Sequence, residues 1–289
     1  MVMSTHPSMF KTPEGQARYF AAYDATLALW PVPVESFDVP TRFGSTHIHV
    51  CGPENAPPLV LLPGQAVSST MWYPNIAALS RAYRVYALDI IGDMGKSVRT
   101  RPITSPLDFG TWLTDIFDEL RLARAHVAGL SYGGFLALRL ALSAPERVGK
   151  LVLMAPASLL PLRPQFFFRM AAVFLPAFVL SFQSKQKLLL GVYSPNAVPA
   201  IKQMMTTTDF RYNMYLPPVY TDEELRQVKT PTLLLLGEHE IIYDLQAALN
   251  RAVNLIAHIE TAIIPGAGHA LNIDQPDMVN SRILDFLEK

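Results

Sequence analysis

From residue 58 the chain alternates short apolar runs with longer amphipathic stretches. LVLLPG, YRVYALD, AHVAGLS and KLVLMAP are apolar runs, and between them MWYPNIAALS, FGTWLTDIFDEL and YGGFLALRLALS carry apolar positions at helical spacing. Continuous apolar strands parted by amphipathic helices need cover on both faces, so the pattern predicts a mostly parallel sheet with helices on each side. The rhythm resumes at PTLLLLG, followed by a helix near Leu245 to Val253, the strand HIETAIIP and a final helix ending at Lys289. Upstream, residues 14 to 29 predict a helix stopped by Pro31 and Pro33, and strands are expected near Ser36 to Thr41 and Ser45 to Cys51, with Gly44 at the turn. The expected sheet therefore has eight strands, four of them in that first alternating stretch.

Between 157 and about 229 the rhythm lapses into Phe, Met, Pro and Leu-rich sequence. An insertion this apolar, placed after the sixth strand, reads as a helical cap within a single domain spanning 1–289. The alternative is a bundle packed on the sheet with no role toward a substrate. Phe166, Phe167, Phe168, Phe174 and Phe178 in this stretch suggest an acyl or aryl group bound by burial.

Composition narrows the partners. With 24 Lys+Arg against 24 Asp+Glu there is no electrostatic basis for gripping nucleic-acid phosphates or an anionic membrane, and the expected ligand is small. The apolar stretch 166–182 is broken by Arg169 and Pro176 and is too short to span a bilayer, which takes about 20 apolar residues. A single Cys51 rules out an internal disulfide, and the first residues lack a basic segment followed by an apolar one, so a cytoplasmic protein is expected.

Gly129-Leu130-Ser131-Tyr132-Gly133 fits G-x-S-x-G between a buried strand and a helix, the setting in which the pattern makes a nucleophile elbow. Glycines there let the strand reverse into the helix, whose N-terminal dipole and N–H groups face the site. A serine hydroxyl needs a base within reach. His269, in Pro265-Gly266-Ala267-Gly268-His269 after the last strand, is the candidate, because His47, His49, His126 and His258 lie on or beside strands and His6 lies in the tail. The acid that fixes the imidazole tautomer is expected at Glu240, three residues past Gly237, with Asp244 and Glu238 as competitors. Two backbone N–H donors for an oxyanion are expected at Tyr132, after the nucleophile, and at Gln65 in Leu62-Pro63-Gly64-Gln65-Ala66. This machinery needs no metal or organic cofactor.

The chain resembles the bacterial carboxylesterases of the naproxen esterase (carboxylesterase NP) type, within the α/β-hydrolase superfamily. The resemblance rests on LALWPV, TRFGSTHIHVCGPENAPPLVLL, SSTMWYPNIA, ALDIIGDMGKS, TDEELRQVKTPTLLLLGEHEIIYD and GAGH, and covers most of the chain. It implies an α/β-hydrolase fold and hydrolysis of carboxylic esters, including bulky aryl-propionate esters, by a Ser-Glu-His triad falling on Ser131, Glu240 and His269. One difference stands out. Pro63-Gly64 occupies the place where relatives usually carry His-Gly, which removes a hydrogen-bonding side chain and stiffens the loop. A thioesterase, lactonase, acyltransferase or C–C bond hydrolase could share the triad, and a low-turnover ligand sensor could share the scaffold. Dehalogenases and epoxide hydrolases use a carboxylate nucleophile, against which Ser131 argues.

Overall fold

The structure, a computed structural model, describes residues 9–173, 179–206, 210–211 and 215–289, without the side chains of 167, 170 and 173. The strands are β1 (Glu35–Thr41), β2 (Gly44–Cys51), β3 (Pro58–Leu62), β4 (Arg84–Leu88), β5 (Val98–Arg99), β6 (Ala125–Leu130), β7 (Val148–Met154), β8 (Thr232–Gly237) and β9 (Ile259–Ile264). They form one sheet in the order β1-β2-β4-β3-β6-β7-β8-β9, with β5 pairing to β2 off that path. The β1/β2 hairpin and the β2/β4 pair are antiparallel, and every pair from β4 to β9 is parallel. The fold is thus the expected α/β-hydrolase fold with nine strands where the pattern predicted eight. The extra one, β5, is two residues long and too short to show a period.

Every residue of β8, and Leu59 to Leu62 of β3, is buried, as strands covered on both faces must be. The covering helices are α1 (Pro13–Leu27), α2 (Ile76–Leu79), α3 (Pro106–Glu119), α4 (Tyr132–Ser143), α5 (Pro164–Val173), α6 (Phe182–Leu190), α7 (Val198–Met205), α8 (Asp222–Gln227), α9 (Leu245–Leu255), α10 (Leu271–Asp274) and α11 (Pro276–Glu288). Local chemistry sets their starts. Ser105 caps α3 and its backbone N–H is received in turn by Asp108, with Pro106 at the first helical position. Where MWYPNIAALS predicted one helix, Pro74 divides the stretch into a 3₁₀ turn at Ser69–Trp72 and the single-turn α2. No helix among the described residues is long and apolar enough to cross a membrane.

Residues between β7 and β8 form α5 to α8. They are tied to the body at several points: Arg139 of α4 pairs with Glu224 of α8 at 2.8 Å, and the Tyr220 hydroxyl donates to the carbonyl of Phe135 at 2.8 Å. Gln203 of α7 donates to Ser68 Oγ at 2.8 Å and accepts from Thr70 at 2.9 Å, joining this insertion to the loop after β3. The phenylalanines of this insertion, each of which is singly more often core than lining, fall in different settings. Phe168 is 77% exposed and Phe166 packs against the main core, while Phe174, Phe178 and the side chain of Phe167 lie outside the described residues.

The sheet order places a topological switch point between β3 and β6. The chain steps from β3 to β4 on one side and later returns to β6 on the other, so the loops at the carboxyl ends of β3 and β6 part in opposite directions and open a crevice.

Candidate active site

Ser131 alone connects β6 to α4 and takes φ 52° and ψ −111°. A non-glycine residue held there stores about 1–3 kcal/mol of strain, and the surrounding backbone supplies the restraint. The Ser131 N–H donates to the carbonyl of Met154 at 2.8 Å, and its carbonyl accepts from Ala157 at 2.9 Å, so the turn is clamped to the end of β7. The flanking glycines answer a measurable lack of space. A Cβ at Gly129 would lie 2.2 Å from the Gly133 carbonyl oxygen, and one at Gly133 would lie 2.1 Å from that of Leu62.

Glu240 follows β8 and His269 follows β9, both at the same carboxyl edge as Ser131. His269 Nδ1 lies 2.9 and 3.1 Å from the two oxygens of Glu240, whose side chain is fully buried. Glu240 Oε1 also accepts the N–H groups of Ile241 and Ile242 at 2.7 and 2.8 Å. Burial alone raises a carboxyl's pKa. Here the adjacent His269 and the two N–H groups outweigh it and hold Glu240 below the usual carboxylate range. An ionised Glu240 can only accept, so Nδ1 carries the imidazole proton and Nε2 keeps a free lone pair.

The competing acids have other partners. Asp244 accepts the N–H of Ala247 at 2.9 Å as the cap of α9 and pairs with Arg163 at 2.6 Å. Glu238 accepts the Gly266 N–H at 2.8 Å on the surface. The His269 loop is fixed from two sides: its own N–H donates to the Leu190 carbonyl at the end of α6 at 2.7 Å, and the Gly268 N–H donates to Asp274 at 2.9 Å.

The loop after β3 lies against the nucleophile, since a Cβ at Gly64 would sit 3.7 Å from Ser131 Cβ. Gln65 and Tyr132 line one narrow cavity walled by Ile90, Ile91, Phe109 and Tyr215. The structure therefore brings Gln65 and Tyr132 together, brings Glu240 and His269 into contact, and sets all of them with Ser131 along one sheet edge. Two acids escaped the sequence reading: Asp93, buried against the Gln65 loop, and Asp274, under the His269 loop. A lone acid within the apolar run IIGDMG was a usable cue for the first.

Three other histidines have structural settings. His49 is buried between the hydroxyls of Tyr23 at 2.6 Å and Ser36 at 2.7 Å, and His47 pairs with Asp38 at 2.7 Å. His126 is flanked by the Tyr83 ring. Among the described residues, no group of three or more His, Cys, Asp or Glu side chains converges as a metal site would require.

Residues 59–282 match the family model described as the alpha/beta hydrolase family. The chain is 42% identical to an uncharacterized carboxylesterase, nap, of Bacillus subtilis (strain 168), over 98% of this chain and 97% of that one. Among solved structures, carboxylesterase CesB (YbfK) from Bacillus subtilis superposes with a TM-score of 0.87 at 40% identity, covering 95% of this chain and 98% of that one. Naproxen esterase (carboxylesterase NP) from Bacillus subtilis does so with 0.86 at 41% identity, covering 97% and 100%.

Proposed function

Because this chain belongs to the alpha/beta hydrolase family and is a hydrolase of the carboxylesterase type, we propose that it cleaves esters through an acyl-enzyme on Ser131, with His269 as general base and Glu240 as orienting acid. One observation carries the assignment: the 2.9 Å contact between His269 Nδ1 and the fully buried Glu240 side chain, at the sheet edge where Ser131 follows β6.

In the first step His269 Nε2 takes the Ser131 hydroxyl proton while Oγ attacks the ester carbonyl carbon. The electron pair moves to the carbonyl oxygen, where the N–H groups of Gln65 and Tyr132 and the N-terminal end of α4 receive the charge. Collapse breaks the bond to the alcohol oxygen, which leaves with the proton held by His269. Water then repeats the sequence on the acyl-enzyme and releases the acid. Throughout, Glu240 remains ionised and stabilises the imidazolium.

The apolar side chains of Ile90, Ile91, Ile103, Phe109 and Tyr215 beside Gln65 and Tyr132 support an ester with a hydrophobic acyl or aryl group. We read 157–229 as a cap within one domain; the contributions of Tyr215 to the cavity and Leu190 to the His269 loop support that reading. A cytoplasmic location is part of the same proposal, supported by a lone Cys51 whose thiol burial pushes up to about 11. The balanced charge favours a small neutral substrate over nucleic acid.

The test is turnover of p-nitrophenyl acyl esters, with matched thioesters alongside. Many equivalents of nitrophenol should be released per enzyme, and Ser131→Ala should lower kcat by roughly a thousandfold or more. Release that stops at one equivalent would identify a binding protein instead.

A further inference from the structure

Asp93 lies in the loop after β4, only 7% exposed, and lines the same cavity as Gln65 and Tyr132. Its Oδ1 accepts the Met94 N–H at 2.8 Å, and its two oxygens share the Ala66 N–H at 3.3 and 3.2 Å. Ala66 follows Gln65 directly and holds φ 63°, a left-handed conformation that alanine keeps only where its surroundings impose it. Because the peptide plane between Gln65 and Ala66 is rigid, anchoring the Ala66 N–H also fixes the Gln65 carbonyl on the opposite side. What remains free in the loop is then little more than the two backbone dihedrals of Gln65.

We propose that Asp93 is a positioning residue for the oxyanion site: by holding the Ala66 N–H it aims the Gln65 N–H at the charge that develops beside Ser131. This inference rests on the acyl-enzyme reading. It adds a residue outside the triad that acts through the loop it anchors.

The electrostatic setting agrees with such a role. Burial pushes the Asp93 carboxyl up to about 7, with the Met94 and Ala66 N–H groups pulling the other way and Asp89 adding to the rise. The other titratable or charged groups facing it are Tyr19 on α1, Tyr132 on α4, and Arg99 on β5 and Tyr215 in the insertion, which line the same cavity. A neutral carboxyl still accepts the Ala66 N–H through its carbonyl oxygen. It does so without setting a full negative charge against the oxyanion. An amide of the same shape should therefore serve as well as the acid.

The experiment compares Asp93→Ala and Asp93→Asn with wild type on a p-nitrophenyl ester, with kcat expressed per active site by titration. Ser131→Ala is run beside them, and affinity is measured for a trifluoromethyl ketone that forms a tetrahedral adduct. Asp93→Ala should lower kcat about 10- to 100-fold, a part of what one oxyanion donor supplies, with KM within about threefold. Ketone affinity should fall by a similar factor, and Asp93→Asn should restore kcat to within about threefold of wild type. If Asp93→Ala does not fold, Asp93→Ser, too short to reach Ala66, replaces it with the same expectations. A normal per-site kcat in the Ala or Ser variant, or equal losses in Ala and Asn, overturns the inference while an inactive Ser131→Ala leaves the acyl-enzyme reading standing. An active Ser131→Ala overturns that reading instead.

Discussion

Glu240 and Asp244 share one loop but have opposite surroundings. Glu240 is buried against His269, whereas Asp244 is a surface cap paired with Arg163. Glu240→Gln should thus lower kcat by at least about a hundredfold, because an amide can present its NH₂ to Nδ1 and favour the wrong tautomer. Asp244→Asn should leave kcat within about twofold and the melting temperature nearly unchanged, because asparagine caps a helix as aspartate does and the pair with Arg163 is exposed. Steady-state kinetics with thermal melts of both variants separates the two acids, and a loss confined to Asp244→Asn would sink the assignment. At this scale the sequence was informative where chain order and glycine spacing constrain the chemistry, as at Ser131, Glu240 and His269. Asp93 showed only as a lone acid in an apolar run, since the Ala66 N–H it accepts lies 27 residues away, and Asp274 accepts the Gly268 N–H six residues away within an aperiodic loop.

The junction of β6 with α4 is the element on which the rest of the site is built. Its glycines are spacers between secondary structures, and Gly133 marks where the start of α4 presses on the end of β3. Gly133→Ala would drive a methyl group to 2.1 Å from the Leu62 carbonyl, which backbone atoms in a central strand cannot yield to. Urea denaturation should show a loss of about 3 kcal/mol or more, and an unchanged midpoint would refute the crowding. Long periodic elements such as α3, α4, β3 and β8 were visible in the hydrophobic pattern because burial on one or two faces writes a period into the sequence. β5 was not, being two residues held by pairing with β2, and the insertion, though expected to be helical, did not resolve into α5 to α8, which are only six to ten residues long.

Over the whole molecule, buried titratable groups pull stability in opposite directions as the pH changes. Burial holds His49 down to about 4 from 6.5, so its contribution is full above about pH 6.5 and is lost as the pH falls toward 4, at most about 3 kcal/mol. Asp93, raised from 3.8 to about 7, has the opposite sign: its contribution is full below about pH 4 and is lost as the pH rises through 7. Asp274, raised to about 6, acts in the same sense as Asp93. The two signs partly cancel across the acid range. Removing one should expose the other, so Asp93→Asn should show a larger drop in melting temperature than wild type between about pH 7.5 and about pH 5. Parallel melting curves for the two proteins would show that Asp93 does not titrate in that window.

The grip of α6 on the His269 loop has a consequence for variation. It joins one main-chain carbonyl, at Leu190, to one main-chain amide, at 269, so no particular side chain is specified at either end. Exposed residues along α6 can therefore be exchanged without loosening the base. Adding or deleting a single residue before 190 would swing that carbonyl by about 100° around the helix axis and release the imidazole. This segment should therefore tolerate substitution much more readily than a change in length.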